Sequence, residues 1–169
     1  MIYIYNDYGG THTTSLAAAY QKQLPQSERT LTTDEILNVK YFNQLTNKDF
    51  GKLIFHGNDE DGNSVYTIGR KRNKLLVPAL KEMTLLLQSK VHFDEKIVFS
   101  NTSPTVPLVM SFGGFFSRGL KIDFIGVPLL VKGAKQCCDN IYRLVEHTKH
   151  IGHTSFNENV IILDNEIFK

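Results

Sequence analysis

The chain has 169 residues, 41% of them hydrophobic, which suits one well-buried domain and is short for two. With 19 Lys and Arg against 17 Asp and Glu, the formal charge of +2 gives no general pull towards nucleic acid or membranes. Cys137 and Cys138 are the only cysteines and are adjacent, which excludes a CxxC redox or zinc motif and disfavours a disulfide between them.

The first residues lack a basic segment followed by a long apolar one, and no run approaches the ~20 apolar residues that span a bilayer. A soluble, cytoplasmic protein is therefore expected. Ile2, Tyr3, Ile4 and Tyr5 predict a buried strand over 2–6, after which Gly9 and Gly10 turn the chain. The polar cluster Thr11-His12-Thr13-Thr14-Ser15 leads into a helix from Ser15 to near Gln23, stopped by Pro25. Thr32 or Thr33 is the candidate N-cap of a second helix through Ile36 and Leu37, which could extend to Tyr41, Phe42 and Leu45.

The β-prone runs 52–57 and 64–69 flank an Asn/Asp/Gly-rich turn, as in a hairpin or two neighbouring strands. Apolar residues at 75, 76, 79, 80, 83 and 86 give the spacing of an amphipathic helix over 75–88, with Pro78 in its first turn. Residues 96–100 read as a buried strand, 105–119 as a mostly apolar helix with Gly113-Gly114 as a close-approach point, and 121–133 as one or two strands. A long helix from Ala134 to near His150 precedes a final strand over 160–164. This alternation predicts a single three-layer α/β domain over 1–150, with a mostly parallel or mixed sheet, Rossmann-like or P-loop-like. Residues 151–169 form a C-terminal extension that could add a strand.

A strand, a Gly-rich turn and a hydroxyl-rich helix start together offer backbone N–H groups and a helix N-terminus to an anion. Gly9, Gly10, Thr11, Thr13 and Thr14 are the candidate phosphate cradle. In a doubly wound sheet ligands collect at the carboxyl ends of strands, where this loop leaves strand one. Neither GxxxxGK[ST] nor GxGxxG is present. Tyr8-GGTHTTS has a loose likeness to the SGGxDS loop of ATP pyrophosphatases, with His and Thr replacing Asp and Ser. Capping by Thr13, Thr14 or Ser15 is the competing role, although it does not account for the histidine and the glycine pair.

His12 is the candidate general acid/base, because imidazole titrates near neutrality. His56 and Asp59, in His56-GNDED, could orient His12 or join it around a metal; ordinary turn chemistry is the alternative for the Asp and Asn residues. Ser117 and Arg118 lie where the apolar helix runs out, and a guanidinium there suits either bidentate phosphate binding or its own helix C-terminus. Arg70-Lys71-Arg72-Asn73-Lys74 reads as a solvated turn, with nucleic acid an improbable partner. Lys132-Gly133 reads as a second Gly-led helix start, and Gly152 as a C-cap near His147, His150 and His153. No Ser/His/Asp elbow motif supports an acyl hydrolase.

Three segments, Gly9-GTHTTSLAAAY, Gly51-KLIFHGNDEDGNSVYTIGRK and Gly113-GFFSRGLKIDFIGVP, follow one another in that order. As an ordered set covering residues 1–148 they resemble domain-of-unknown-function family 3189 of spore-forming Firmicutes. The resemblance implies that the three clusters form one site, and it carries no reaction. Departures from the family pattern fall at Thr13 or Thr14, where Ser is commoner, and at Asn58, where Thr would be expected.

The expected function is a phosphate- or nucleotide-binding protein, with an enzyme acting on a phosphorylated small molecule as the leading form. Gly9, Gly10, Thr11 and Thr13 would cradle the phosphate, Arg118 would neutralise it, and His12 would act with His56 or Asp59 behind it. The alternative is a non-catalytic ligand-sensing or protein-interaction module, in sporulation if the family's hosts are a guide. A homodimer through Phe112, Phe115 and Phe116 is one form of it, against plain core packing of those rings. Metal-dependent hydrolysis by a His/Asp cluster is a third reading. No cofactor is identifiable from the sequence.

Overall fold

A computed structural model describes residues 1–22, 30–91, 94–155 and 158–169. The alternating run Ile2–Asp7 becomes the central strand β1, with Tyr3 and Tyr5 on one face of the sheet and Ile2 and Ile4 on the other. After β1 come α1 (Thr13–Lys22), α2 (Thr33–Leu37), β2 (Ile54–Asn58), β3 (Ser64–Gly69) and α3 (Leu76–Val91). They are followed by β4 (Ile97–Asn101), α4 (Leu108–Gly114), α5 (Asp123–Thr154) and β5 (Val160–Leu163). The sheet order is β2-β3-β1-β4-β5. β1 pairs in parallel with β3 and β4, β5 is parallel to β4, and only edge strand β2 is antiparallel.

The chain is thus a single α/β domain with a mixed sheet, and β2–β3 is a hairpin with a bulge between Phe55 and Gly57. Leu16, Ile36, Met110, Leu130, Ile141 and Leu144 pack on Tyr3, Tyr5, Val65, Val98 and Ile161, placing α1, α2, α4 and α5 on one face. Val77 of α3 packs on Ile4, Ile68, Ile97, Phe99 and Val160 on the other. Among the described residues no helix is long and apolar enough to cross a membrane.

Several sequence expectations are corrected. The segment 121–133 is helix rather than strand: α5 runs for 32 residues from Asp123, carrying Pro128 inside it. Its Val/Ile/Leu density is locally β-prone, but Gly126, Leu130, Gly133, Cys137, Ile141 and Leu144 recur at helical spacing and are buried together. Lys132-Gly133 therefore lies mid-helix, and Gly152 ends nothing, since the helix continues to Thr154. The Cys137 thiol, buried in this helix, is pushed up to about 12 by desolvation, which leaves it inert.

The second helix stops at Leu37 despite its Thr32–Glu35 capping box, because Tyr41 and Asn43 take left-handed backbone (φ 65° and 53°) and turn the chain. The proposed stop of α1 at Pro25 lies outside the described residues. Phe112 and Phe115 are 61% and 57% exposed, so core packing does not hold them. Beyond α4 the chain makes one π-helical turn, Phe115–Gly119.

α4 and α5 approach through glycines. A Cβ on Gly126 would lie 2.5 Å from the Ser117 nitrogen, and one on Gly133 would lie 2.6 Å from Met110 Cβ. Overpacking costs about 1–3 kcal/mol, more than the ~1 kcal/mol of helix propensity that alanine returns. Gly133→Ala should therefore lower the urea midpoint of unfolding. An unchanged or raised midpoint would mean that α4 can move aside freely.

Candidate functional site

The strand order fixes where a ligand can sit. From β1 the chain moves to β3 on one side, and the crossover through α3 then places β4 on the other side. Connections therefore diverge between the carboxyl ends of β1 and β4, the topological switch point where open α/β sheets bind ligands. A cleft of about 1290 Å³ opens there. Asp7, Gly9, Thr11 and His12 line it from the first loop, Ser103 and Val106 from the segment after β4, and Met110, Gly114 and Phe115 from α4 and the turn beyond it.

The loop after β1 is organised by Asp7, a buried carboxylate. It accepts the Gly10 N–H and, at 2.8 Å, the Thr13 hydroxyl, which in turn lies 3.0 Å from the Thr102 hydroxyl. The chain's own carboxylate thus takes donors that a phosphate would otherwise use. Gly10 (φ 72°) has a structural reason as well: a Cβ there would lie 2.5 Å from the Gly69 nitrogen of β3. Thr13, Thr14 and Ser15 are fully buried and do not line the cleft. Thr11 reaches the wall but donates to the Tyr41 carbonyl at 2.6 Å. Of the expected cradle, Gly10, Thr13 and Thr14 are therefore internal, and Gly9 and Thr11 face the ligand space.

His12 precedes α1, and its carbonyl accepts the Leu16 N–H. Its ring packs edge-on against Phe42 with centroids 5.6 Å apart. Its Nε2 lies 3.2 Å from Asn43 Oδ1; Asn43 Nδ2 donates to Ser117 Oγ at 2.8 Å, and Ser117 donates to Asp123 Oδ1 at 2.5 Å. A carboxylate can only accept, so Ser117 must donate to it and accept from the Asn43 amide. Asn43 then turns its oxygen to His12, which places the proton on Nε2 and leaves a lone pair on Nδ1. Burial holds the His12 pKa below the ordinary 6.5, and the Arg118 charge adds to this; the Asn43 hydrogen bond and Asp7 oppose it. At neutral pH His12 is an uncharged base.

Arg118 lines the cleft, but its guanidinium donates to the carbonyls of Asn43 (2.9 Å) and Leu45, tethering the segment that carries Asn43. It positions the site more than it waits for a ligand. The cationic rim instead comes from Lys48, Lys71, Arg72 and Lys121. The basic turn after β3, expected to be merely solvated, supplies two of these. Its neighbour Arg70 bridges strand ends through Asn6 (3.0 Å) and Ser103 (3.3 Å). Sequence reasoning missed this contribution. The available signal was that the turn leaves a strand parallel to β1, at the same end of the sheet as His12.

His56 and Asp59 do not join the site. His56 is buried on β2, with Nε2 3.1 Å from Thr67 Oγ1 and its ring against Tyr41; it borders a separate pocket of about 500 Å³ with Ser15, Lys22 and Lys40. Asp59 follows Asn58, which pairs with Ser64, itself opposite Ile2, so it stands at the amino end of β1. There it accepts the N–H groups of Asp61 and Asn63 and the Gln21 amide, the work of a turn residue. A metal site from His12, His56 and Asp59 is therefore not assembled. Among the described residues no group of three or more His, Cys, Asp or Glu is placed to hold a metal ion.

The family model for a protein of unknown function (DUF3189) matches residues 2–150, and the chain belongs to that family. No curated protein and no solved structure matches it.

Burial, with Lys40 and Lys22 nearby, lowers the His56 pKa from the ordinary 6.5 to about 4. The unfolded chain binds this proton more readily, so stability present above pH 6.5 falls as the pH drops towards about 4, by on the order of 3 kcal/mol. Urea unfolding across that range should show this loss in the wild type and a flatter acid limb in His56→Gln. Parallel curves would show that His56 is not the titrating group.

Proposed function

We propose that this member of the DUF3189 family binds a phosphorylated small molecule, such as a nucleotide, in the cleft between β1 and β4, and turns it over with His12 as general base. The observation that carries the reading is the chain Asp123–Ser117–Asn43–His12, which leaves a neutral imidazole with an unprotonated Nδ1 inside a cleft rimmed by cations. A residue that only capped α1 would need neither the tautomer control nor the surrounding charge. The same arrangement suits a base that must be uncharged near neutral pH.

Each part has a physical role. Lys48, Lys71, Arg72 and Lys121 raise the local concentration of an anion and offset its charge. Asp7 keeps the loop closed from within, so the phosphate is met by side-chain cations rather than by a backbone nest. Asn43 sets the His12 tautomer, while Arg118 and the Ser117–Asp123 contact hold Asn43 in its left-handed conformation. A cytoplasmic location, where phosphorylated metabolites are plentiful, belongs to the same proposal.

Thermal-shift and turnover assays with inorganic phosphate, nucleotides and sugar phosphates test it. Saturation at a hundred times the dissociation constant adds about 2.7 kcal/mol of stability, several degrees for a chain of this size. Replacing Lys71 and Arg72 together by alanine removes two exposed cations at about 0.5–1 kcal/mol each and should weaken binding roughly fivefold to thirtyfold. His12→Ala should keep the shift and lose turnover, and the wild-type rate should fall with a midpoint below pH 6.5. Turnover unchanged in His12→Ala, or no shift with any phosphorylated compound, would contradict the proposal.

A further inference from the structure

The pocket beside His56 shares none of its lining residues with the cleft. Its volume of about 500 Å³ suits a small metabolite. Ser15, Ala18, Ala19 and Lys22 present one side of α1 to it, and the short side chains among them keep the space open. The Ser15 hydroxyl is fully buried and makes no hydrogen bond among the described residues. A buried hydroxyl without a partner is unfavourable, so a ligand that supplies one is favoured there.

The polar groups around this hydroxyl are of two kinds. Lys22 and Lys40 only donate. Lys22 Nζ donates to the His56 carbonyl at 2.9 Å and Lys40 Nζ to the Phe55 carbonyl at 3.5 Å, so both ammonium groups are held at successive carbonyls of β2 with N–H bonds to spare. Gly57, in the bulged stretch of β2, makes room for this anchor, since a Cβ there would lie 2.7 Å from Lys22 Nζ. His56 and Asp34, in contrast, only accept. Thr67 Oγ1 lies 3.1 Å from His56 Nε2 and 3.4 Å from the Gly10 carbonyl. A carbonyl cannot donate, so both bonds form only when Thr67 donates to Gly10 and His56 donates from Nε2. Nδ1 then carries a lone pair, and burial keeps the ring uncharged at neutral pH. The Asp34 carboxylate has no partner among the described residues, whereas Glu35 accepts from the Thr32 N–H and hydroxyl.

An anion alone would satisfy the lysines and leave Asp34 and the imidazole without a donor; a cation alone would do the reverse. We propose that this pocket is a second binding site, for a free amino acid with a short side chain. Its carboxylate is held by Lys22 and Lys40, its ammonium by Asp34 and His56 Nδ1, and its side chain lies on Ala18, Ala19 and Val39. Ser15 supplies the remaining hydrogen bond. The site stands independently of the phosphate cleft.

The test is calorimetric titration of the full chain with L-alanine, L-serine, L-valine and γ-aminobutyrate, each against propionate and ethylamine as half-ligands. At least one zwitterion should bind, and both half-ligands should bind at least tenfold more weakly. Asp34→Asn changes an exposed position and should weaken that zwitterion about twofold to fivefold. Ser15→Ala should weaken it roughly twofold to tenfold while leaving the urea midpoint of the free protein equal to or above that of the wild type, because the hydroxyl it removes is unpaired. The Lys71→Ala/Arg72→Ala variant should bind it as the wild type does. No binding by any of the four zwitterions would overturn the proposal, as would propionate or ethylamine binding as tightly as they do. Loss of binding in Lys71→Ala/Arg72→Ala would place the amino acid in the cleft and contradict it. So would unchanged affinity in Ser15→Ala, or a urea midpoint that falls in that variant.

Discussion

The Asp7 carboxylate holds the site together. Burying a carboxylate is unfavourable unless its oxygens find donors, and here the Gly10 N–H and the Thr13 hydroxyl supply them. Those two bonds close the turn between β1 and α1 and fix where the helix begins. They also fix His12, the residue just before the helix, at the edge of the cleft. Because Thr13 also meets Thr102, the turn is linked to the end of β4, and the two strands flanking the switch point are bound to one another.

A second constraint works from the other side of the cleft. The glycine contacts between α4 and α5 bring Ser117 close to Gly126. This closeness lets Ser117 bridge Asp123 to Asn43, and Asn43 in turn reaches His12. The tautomer of one imidazole therefore depends on helix packing around a buried serine and on a left-handed asparagine 31 residues along the chain from it. Electrostatics and packing meet at this point: the same burial that leaves His12 uncharged also aligns its hydrogen-bonded nitrogen.

Much of the fold was legible in local pattern. The alternation of Ile2–Tyr5, the Gly/Asp turn between β2 and β3, and the apolar run of β4 each carry their structure within a few residues. The segment 121–133 was not legible, because an Ile/Val/Leu-rich run looks like a strand until the helical spacing of its buried Gly126, Leu130 and Gly133 is matched to a neighbour. The position of His12 at a strand end was readable from the Gly–Gly–Thr–His order. Its partners were not: Asn43, Ser117 and Asp123 come from three distant segments. Asp7 was overlooked because a carboxylate at the end of a strand looks like a turn residue, and its role as an internal anion appears only with the loop folded over it. His56 and Asp59 were misplaced for a topological reason. An antiparallel hairpin carries its turn to the far end of the sheet, away from the carboxyl end of β1.

The central claim is that His12 is a neutral base placed to meet a phosphate. Proton NMR of the imidazole Cε1 resonances, titrated over pH with and without inorganic phosphate, tests it most directly. The account predicts that His12 titrates below 6.5 in the free protein and that bound phosphate raises its pKa, while His56 stays at about 4 in both. A His12 resonance that titrates at or above 6.5 in the free protein, or that phosphate leaves unmoved, would contradict it.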